Sequence, residues 1–480
     1  MDDKASQQAL SRDVAMLGVI AYVIFLAICI APILLDGDTG WHIAAGQWMI
    51  EHRAVPATDP FSFTFMGRHW TPHEWLSELI MVGAYNAAGW SGIALLFASA
   101  VAALFVVLGL ELRRWMASTP AFVTLLTTFV MLLPFLLARP HLLALPILAG
   151  WTIMLLRARE AGRAPAWPFA ATMTLWANMH GSFIMGLALI APFALEALIE
   201  GPKRIEVLLR WGAFALLSAL AALLTPHGIE GILFPLQVSA MKTLPLIVEW
   251  RGANFEEFKS FELALLIFLL FALSKGLRIP AIRLLILLGL LHLGLQHVRH
   301  QMILAVVGTL LVAEPAGRAL LRGGSLPKPD LRAALAGQWR TYRPAALAMM
   351  VVIAAIATVR MAIPVQRTDS DHVPATALAK LPEELRTRRV FNDYGFGGAL
   401  ILAGIPPYID GRADLYGDAF LQNHVRIDNG DAKAWREAAR RWKIEWTILT
   451  PSAGLVRVLD REPGWRRIYT DKYAVIHVRR

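Results

Sequence analysis

The sequence predicts a polytopic α-helical membrane protein of about eleven transmembrane helices, followed by a small C-terminal extracytoplasmic α/β domain. Three observations predict it. The 480 residues are 56% hydrophobic with a mean hydropathy of +0.52, and only 17% are charged, against roughly 25% in a soluble domain. Apolar runs long enough, or nearly so, to cross the ~30 Å bilayer core recur along the first three quarters of the chain. Lys and Arg concentrate in alternate connections between those runs, as membrane topology demands.

The runs lie at about 14–35, 91–110, 119–138, 141–156, 167–180, 182–199, 207–224, 260–274, 281–296, 300–313 and 345–363. The first is long for a signal-peptide core and has no small-residue cleavage site, so it reads as an uncleaved first span. The run at 167–180 is the weakest and suggests a broken or re-entrant helix. With the N-terminus inside, the cytoplasmic loops hold 17 Lys and Arg: two at 113–114, three at 157–163, three at 203–210, three at 275–283 and six at 318–343. The opposite loops, though longer, hold seven: Arg53, Arg68, Arg139, Lys242, Arg251, Lys259 and Arg299. The net charge of +10 is therefore a topology signal, and no nucleic-acid partner is implied. The expected setting is a bacterial inner membrane, with the N-terminus cytoplasmic. A single cysteine, Cys29, rules out intrachain disulfides.

After residues 1–363 the composition changes. Residues 364–480 mix strand-like runs (Arg389 to Asn392, Thr447 to Thr450, Tyr473 to Val478) with a helical stretch from Asp431 to Trp442, for which Asp431 is a suitable N-cap. Eleven spans place this domain outside, where its own core must hold it.

The candidate chemistry gathers on the outer side. The first outer loop, 36–90, opens with Asp36-Gly37-Asp38-Thr39-Gly40-Trp41-His42 at the end of a span. Gly40 to His52 reads as a short interfacial helix that Val55-Pro56 and Asp59-Pro60 end. A second helix starts at Thr71-Pro72-His73-Glu74, with Thr71 as N-cap and Glu74 completing a capping box. The other outer turns carry Arg139 and His141, Asn178 and His180, His227, Glu249, and His297, Arg299 and His300. His292, Gln296 and Arg299 are spaced to share a helix face. Of the 13 histidines, those at 42, 52, 69, 73, 141, 180, 227, 297 and 300 fall in outer segments. Ionisable groups at membrane depth cost about 2.5–3.5 kcal/mol each, so they are paired or functional. One polar pocket at the outer face accounts for them. A carboxylate there can take a proton from an acceptor hydroxyl, and Arg and His can meet a phosphate leaving group.

Structural roles compete at each position. Asp36 and Asp38 also suit helix capping, Glu74 a capping box, Asp59 a turn, and Asn178 and His180 the backbone of a broken helix. His52 and His69 read as solvated loop residues, and most of the 16 Trp as interface belt and core. Asp410 to Tyr416 reads as a loop with buried ion pairing. Tyr394-Gly395-Phe396-Gly397-Gly398 lacks the spacing of a dinucleotide fingerprint.

Asp36-Gly37-Asp38 after the first span, the helix ending near Val55-Pro56 and the segment from Pro72 to Gly89 reproduce, in order, a layout that resembles the GT-C superfamily of glycosyltransferases, especially its protein O-mannosyltransferase and lipid A aminoarabinose transferase branch. The resemblance is specific over about 36–110 and architectural beyond. It implies Asp38 as catalytic base, with Asp36 second, and a polyprenyl-phosphate (undecaprenyl-phosphate) sugar as donor. It also implies an inverting displacement and an optional divalent metal, Mg or Mn, on Asp36 and Asp38. His42, Glu74, Arg139, His141, Asn178, His180, His227, Glu249, His297, Arg299 and His300 are the candidate substrate-binding residues. Membrane lipids and a glycan, lipid or protein acceptor complete the expected partners. Two other functions compete: a transporter or flippase of a lipid-linked saccharide, which needs a midplane polar path and internal repeats, and a non-catalytic membrane assembly protein.

Overall fold

The computed structural model describes residues 33–321 and 365–480, with isolated positions between 347 and 362. The expected spans at 14–35 and 345–363, and Cys29, fall largely or wholly outside the described residues. Six described helices are long and apolar enough to cross a membrane: Trp75–Leu112, Ser118–Phe135, Pro140–Glu160, Phe183–Glu200, Arg204–Ala222 and Val298–Leu320. The expected count of eleven is therefore not reproduced among the described residues. Residues 167–180 form a 3-10 turn and an eight-residue helix, Thr172–Met179, about 12 Å of rise and too short to span. Ser260–Lys275 and Ala281–Gln296 are sixteen-residue helices. Helices Arg204–Ala222 and Ser260–Lys275 leave Leu209 66%, Leu270 71% and Leu273 82% exposed. Such apolar surface belongs against lipid, and the molecule is a multi-pass membrane protein.

Four elements position the polar groups. Helix α1, Thr39–His52, starts where the Asp36 carboxylate accepts from the Thr39 amide and hydroxyl, both at 3.1 Å. It ends at Arg53, whose φ of 53° is left-handed. Helix α2, Trp75–Leu112, is broken at Ala88 and Gly89, where Gly89 takes a φ of 56°. An interfacial helix and a span are thus joined in one element, as expected for Pro72 to Gly89 and the run after it. The expected capping box is not formed. Helix α2 begins at Trp75 with no side-chain cap. Thr71 Oγ1 instead donates to Glu230 at 2.5 Å, and Glu74 is drawn away by three imidazoles described below. Helix α3, Pro140–Glu160, has proline at its first position, which leaves Arg139 extended at φ −126°, ψ 155°, as a residue before proline must be. The shared face expected for His292, Gln296 and Arg299 is absent. The helix stops at Gln296 because His297 is extended and donates from Nδ1 to the Trp250 carbonyl, 2.8 Å away.

Residues 365–480 surround a four-stranded sheet of order β1-β2-β4-β3, made of β1 Val390–Asn392, β2 Trp446–Leu449, β3 Trp465–Thr470 and β4 Val475–Arg479. β1 and β2 run parallel, so the chain between them must cross over, and it does so through helices. The other pairs are antiparallel. Asp431 caps helix Ala432–Arg441 by accepting from the Lys433 and Ala434 amides. Trp435, Trp446, Phe391 and Tyr408 fill the two cores that flank the sheet.

This region sits on α1 through glycine. A Cβ at Gly37 would overlap the Gly395 carbonyl, one at Gly40 the Gly398 carbonyl, and one at Gly398 the Gly37 carbonyl. The run Tyr394 to Gly398 is therefore a surface for backbone-to-backbone approach.

Candidate active site

Arg139 is the hub of the first half of the site. Its Nε donates to Asp36 Oδ1 at 2.8 Å and its Nη2 also meets that carboxylate. Nη2 lies 3.1 Å from Asp38 Oδ2, and Nη1 donates to Glu249 Oε1 at 2.7 Å. Three carboxylates thus share one guanidinium. Arg367 adds positive charge beside them: its Nε donates to the Leu34 carbonyl at 3.0 Å and its Nη2 to the Asp36 carbonyl oxygen.

The two aspartates are not equivalent. Asp36 is 2% exposed and its carboxylate is fully engaged by Thr39 and Arg139. Burial pushes its pKa up, but the Arg139 charge and hydrogen bonds outweigh that and hold it near about 2. Asp38 has a fifth of its side chain exposed and Arg139 as its ion-pair partner. Burial, with Asp36 close by, raises its pKa above the usual carboxylate value despite the pull of Arg139. Asp38 is the better proton acceptor of the pair. The backbone of Gly411 lies against it, because a Cβ on Gly411 would overlap Asp38 Oδ1. Tyr394 Oη donates to the Gly411 carbonyl at 3.0 Å and fixes that approach.

The second half alternates carboxylates and imidazoles. His42 Nδ1 is 3.2 Å from Glu78 Oε1, and its Nε2 is 3.8 Å from Glu74. Glu74 also meets His180 at 3.4 Å and His73 at 3.6 Å. Burial raises the Glu74 pKa, yet its imidazole neighbours, His73 first, bring it well below the usual range. His180 Nδ1 accepts the Ser182 amide at 3.0 Å, so its proton is on Nε2, facing Glu74. Burial holds the His180 pKa down at about 3, and the ring stays neutral. His141 places Nε2 on the Phe135 carbonyl at 2.8 Å, with its ring centre 6.3 Å from that of His180.

Arg299 closes the cluster. Its guanidinium lies 4.2 Å over the Trp250 ring. Glu249, Glu74 and Arg139 are the charges that act on it. Among the described residues it makes no ion pair or hydrogen bond. A cation held on an aromatic face with its donors free is a site for an anion.

The remaining candidates sit differently. Asn178 spends its amide on the carbonyls of Thr174 and Leu224 and accepts from the Trp75 indole at 2.6 Å. It satisfies the broken helix and presents nothing to the cluster. His227 reaches the Pro72 carbonyl at 3.3 Å, at the rim. His297 is bound to Trp250, and His300 packs at 5.5 Å from it with Nδ1 buried and unpartnered. His52 stacks on Trp48, and His69 pairs with Glu230 in the open. Asp59 is both turn and ion pair, since it accepts from the Phe61 and Ser62 amides and from Arg412, itself paired with Asp410. A divalent metal on Asp36 and Asp38 does not fit: Arg139 already lies between both carboxylates, and no group of three metal ligands occurs among the described residues.

Sequence reasoning did not assign Glu78, His73, Arg367, Tyr394, Gly411 and Asp414 to the site. Glu78 carried a signal, its i+4 spacing from Glu74, and His73 another, its place beside Glu74 among the outer histidines. Arg367, Tyr394, Gly411 and Asp414 come from the distant 365–480 region that only the fold brings in.

No protein-family model and no curated protein sequence matches this chain. Solved structures do. The archaeal oligosaccharyltransferase AglB from Archaeoglobus fulgidus, in complex with an inhibitory peptide and a dolichol-phosphate, aligns with a TM-score of 0.58 at 12% identity, over 91% of this chain and 69% of that one. The apo form of the Archaeoglobus fulgidus enzyme aligns at 0.53 and 11% over the same shares. ArnT from Cupriavidus metallidurans bound to undecaprenyl phosphate aligns at 0.51 and 13% over 97% of each chain. The chain has the fold of the GT-C membrane glycosyltransferases.

Proposed function

We propose that this chain is a glycosyltransferase that moves a sugar from a polyprenyl-phosphate donor to an acceptor hydroxyl at the outer face of the bacterial inner membrane. The observation that carries the reading is the pairing of a proton-accepting carboxylate, Asp38, with an unpaired cation, Arg299, in one cluster. The neighbours that share the fold hold dolichol-phosphate or undecaprenyl phosphate, which supports a lipid-phosphate donor here. Asp38 takes the proton of the acceptor hydroxyl as that oxygen attacks the anomeric carbon. The bond from that carbon to the phosphate oxygen breaks with its electron pair, and the polyprenyl phosphate leaves. Arg299 meets the charge on the departing phosphate. One displacement on the face opposite the leaving group inverts the anomeric centre. Asp36, held ionised by Arg139, keeps that guanidinium and Asp38 in register. The orientation that puts the site outside rests on the Lys and Arg asymmetry of the loops.

The test is sugar transfer by Asp38→Asn in lipid nanodiscs with an undecaprenyl-phosphate-linked sugar. Loss of the base should lower kcat by about 10²–10⁴-fold, with the carrier lipid still bound. Transfer at the wild-type rate by a folded Asp38→Asn protein would remove Asp38 from the mechanism.

A further inference from the structure

A narrow cleft opens between the loop preceding α2 and the start of the helix Ala413–Asp428, walled by Trp41, Trp70, His73, Glu78, Arg412 and Asp414. About 20 Å³ of it is open to the centre of a water-sized group, which is room for one hydroxyl and not for a sugar ring. Two of the lining residues hold buried polar atoms without partners. Trp41, 9% exposed, and Glu78, 1% exposed, leave Nε1 and Oε2 buried without hydrogen bonds. The Asp414 carboxylate faces His73 and Arg412 with no ion pair among the described residues. Arg412 is not free to answer it, being bonded to Asp59 at 2.7 Å and Asp410 at 2.6 Å.

The unmet groups define what fits. The Trp41 N–H needs an acceptor, and the carboxylate oxygens need donors. A hydroxyl is both at once. An ammonium has no lone pair for Trp41. A phosphate would meet the carboxylates of Glu74, Glu78 and Asp414, and like charges repel it. An apolar group would leave every one of these atoms unpaired.

We propose that the cleft is a socket for one hydroxyl of a neutral carbohydrate, which accepts from Trp41 Nε1 and donates to Glu78 Oε2 or Asp414 while the ring lies outside. The inference rests on the glycosyl-transfer reading and adds that the C-terminal region supplies a recognition group to the site. The sugar belongs either to the acceptor or to the donor.

The test uses the full chain in lipid nanodiscs and saturation-transfer NMR with the methyl glycosides of glucose, mannose and galactose. Glucosamine and inorganic phosphate serve as the charged controls. At least one neutral glycoside should bind in preference to both controls. Trp41→Phe, which keeps a ring and loses the N–H, and Asp414→Asn should each weaken it about ten-fold. Absence of binding by all three glycosides, or equal binding by wild type and both variants, overturns the proposal and leaves a socket for water only. Displacement of the glycoside by an undecaprenyl-phosphate-linked sugar, but not by undecaprenyl phosphate, assigns the socket to the donor; retention assigns it to the acceptor. Thermal stabilisation by undecaprenyl phosphate is followed on the same samples. Its absence beside intact glycoside binding counts against the glycosyl-transfer reading and not against the socket.

Discussion

Asp36 and Asp38 stand two residues apart, yet Arg139 meets Asp36 through two nitrogens and Asp38 through one, while Thr39 takes up what remains of Asp36. The outcome is one carboxylate held ionised near about 2 and one raised above its usual 3.8. A base must be ionised to act, so kcat/KM should fall on acidification, with a midpoint above 3.8, in a profile taken from about pH 8 to pH 4. A rate that stays level to about pH 4 places the base elsewhere. Arg299 tests the other half. Arg299→Met keeps bulk over Trp250 and removes the charge, and affinity for undecaprenyl phosphate in a lipid-binding assay should drop about ten- to hundred-fold; unchanged affinity assigns the phosphate to other residues. The acidic motif was legible in the sequence because it follows a span directly. What sets its two members apart was not legible, because it lies in Arg139, 103 residues away from Asp36. Asn178 misled for the opposite reason: a polar residue beside a helix break reads alike whether it serves a ligand or, as here, two stranded carbonyls.

At the scale of elements, proline and glycine decide where these side chains go. Pro140 forces Arg139 out of helix α3 and toward the aspartates. Gly37 and Gly40 let the start of α1 touch the backbone of Gly395 and Gly398. Gly40→Ala sets a methyl against a carbonyl that cannot rotate away, and an overpacked contact costs about 1–3 kcal/mol. Purified Gly40→Ala should therefore melt at lower temperature in detergent and release the 365–480 region faster under limited proteolysis; wild-type behaviour in both would show that the two backbones are not pressed together. The broken element at 167–180 was readable from its weak hydropathy, and helix Ala432–Arg441 from its cap. Strand β3, Trp465–Thr470, was not, because four of its six residues are exposed or half-exposed arginines, tyrosine and threonine, so the alternation that marks a strand is missing. The start of α2 was misplaced because Thr71 and Glu74 have the capping-box spacing, while contacts of Glu74 with the His73, His42 and His180 rings outweigh a cap worth about 1 kcal/mol.

At the scale of the molecule, apolar helices leave leucines facing outward, charged pairs tie their ends, and the polar cluster gathers where the bundle meets the 365–480 region. Arg283, 7% exposed, bonds Glu196 and Glu314, and Arg157 bonds Glu111, all among residues that the loop charges assign to the opposite side. The membrane class was plain from composition and run length. The helix count was not, because broken and sixteen-residue helices blur what a span is. The proposed transfer requires a lipid phosphate that meets Arg299 beside Asp38. A cryo-electron microscopy structure of the full chain in nanodiscs with undecaprenyl phosphate tests this directly. The phosphate should lie within hydrogen-bond reach of the Arg299 guanidinium, on the side that faces Asp38; density for the phosphate at the far end of the bundle, with Arg299 still resting on Trp250 and touching no anion, would contradict this mechanism.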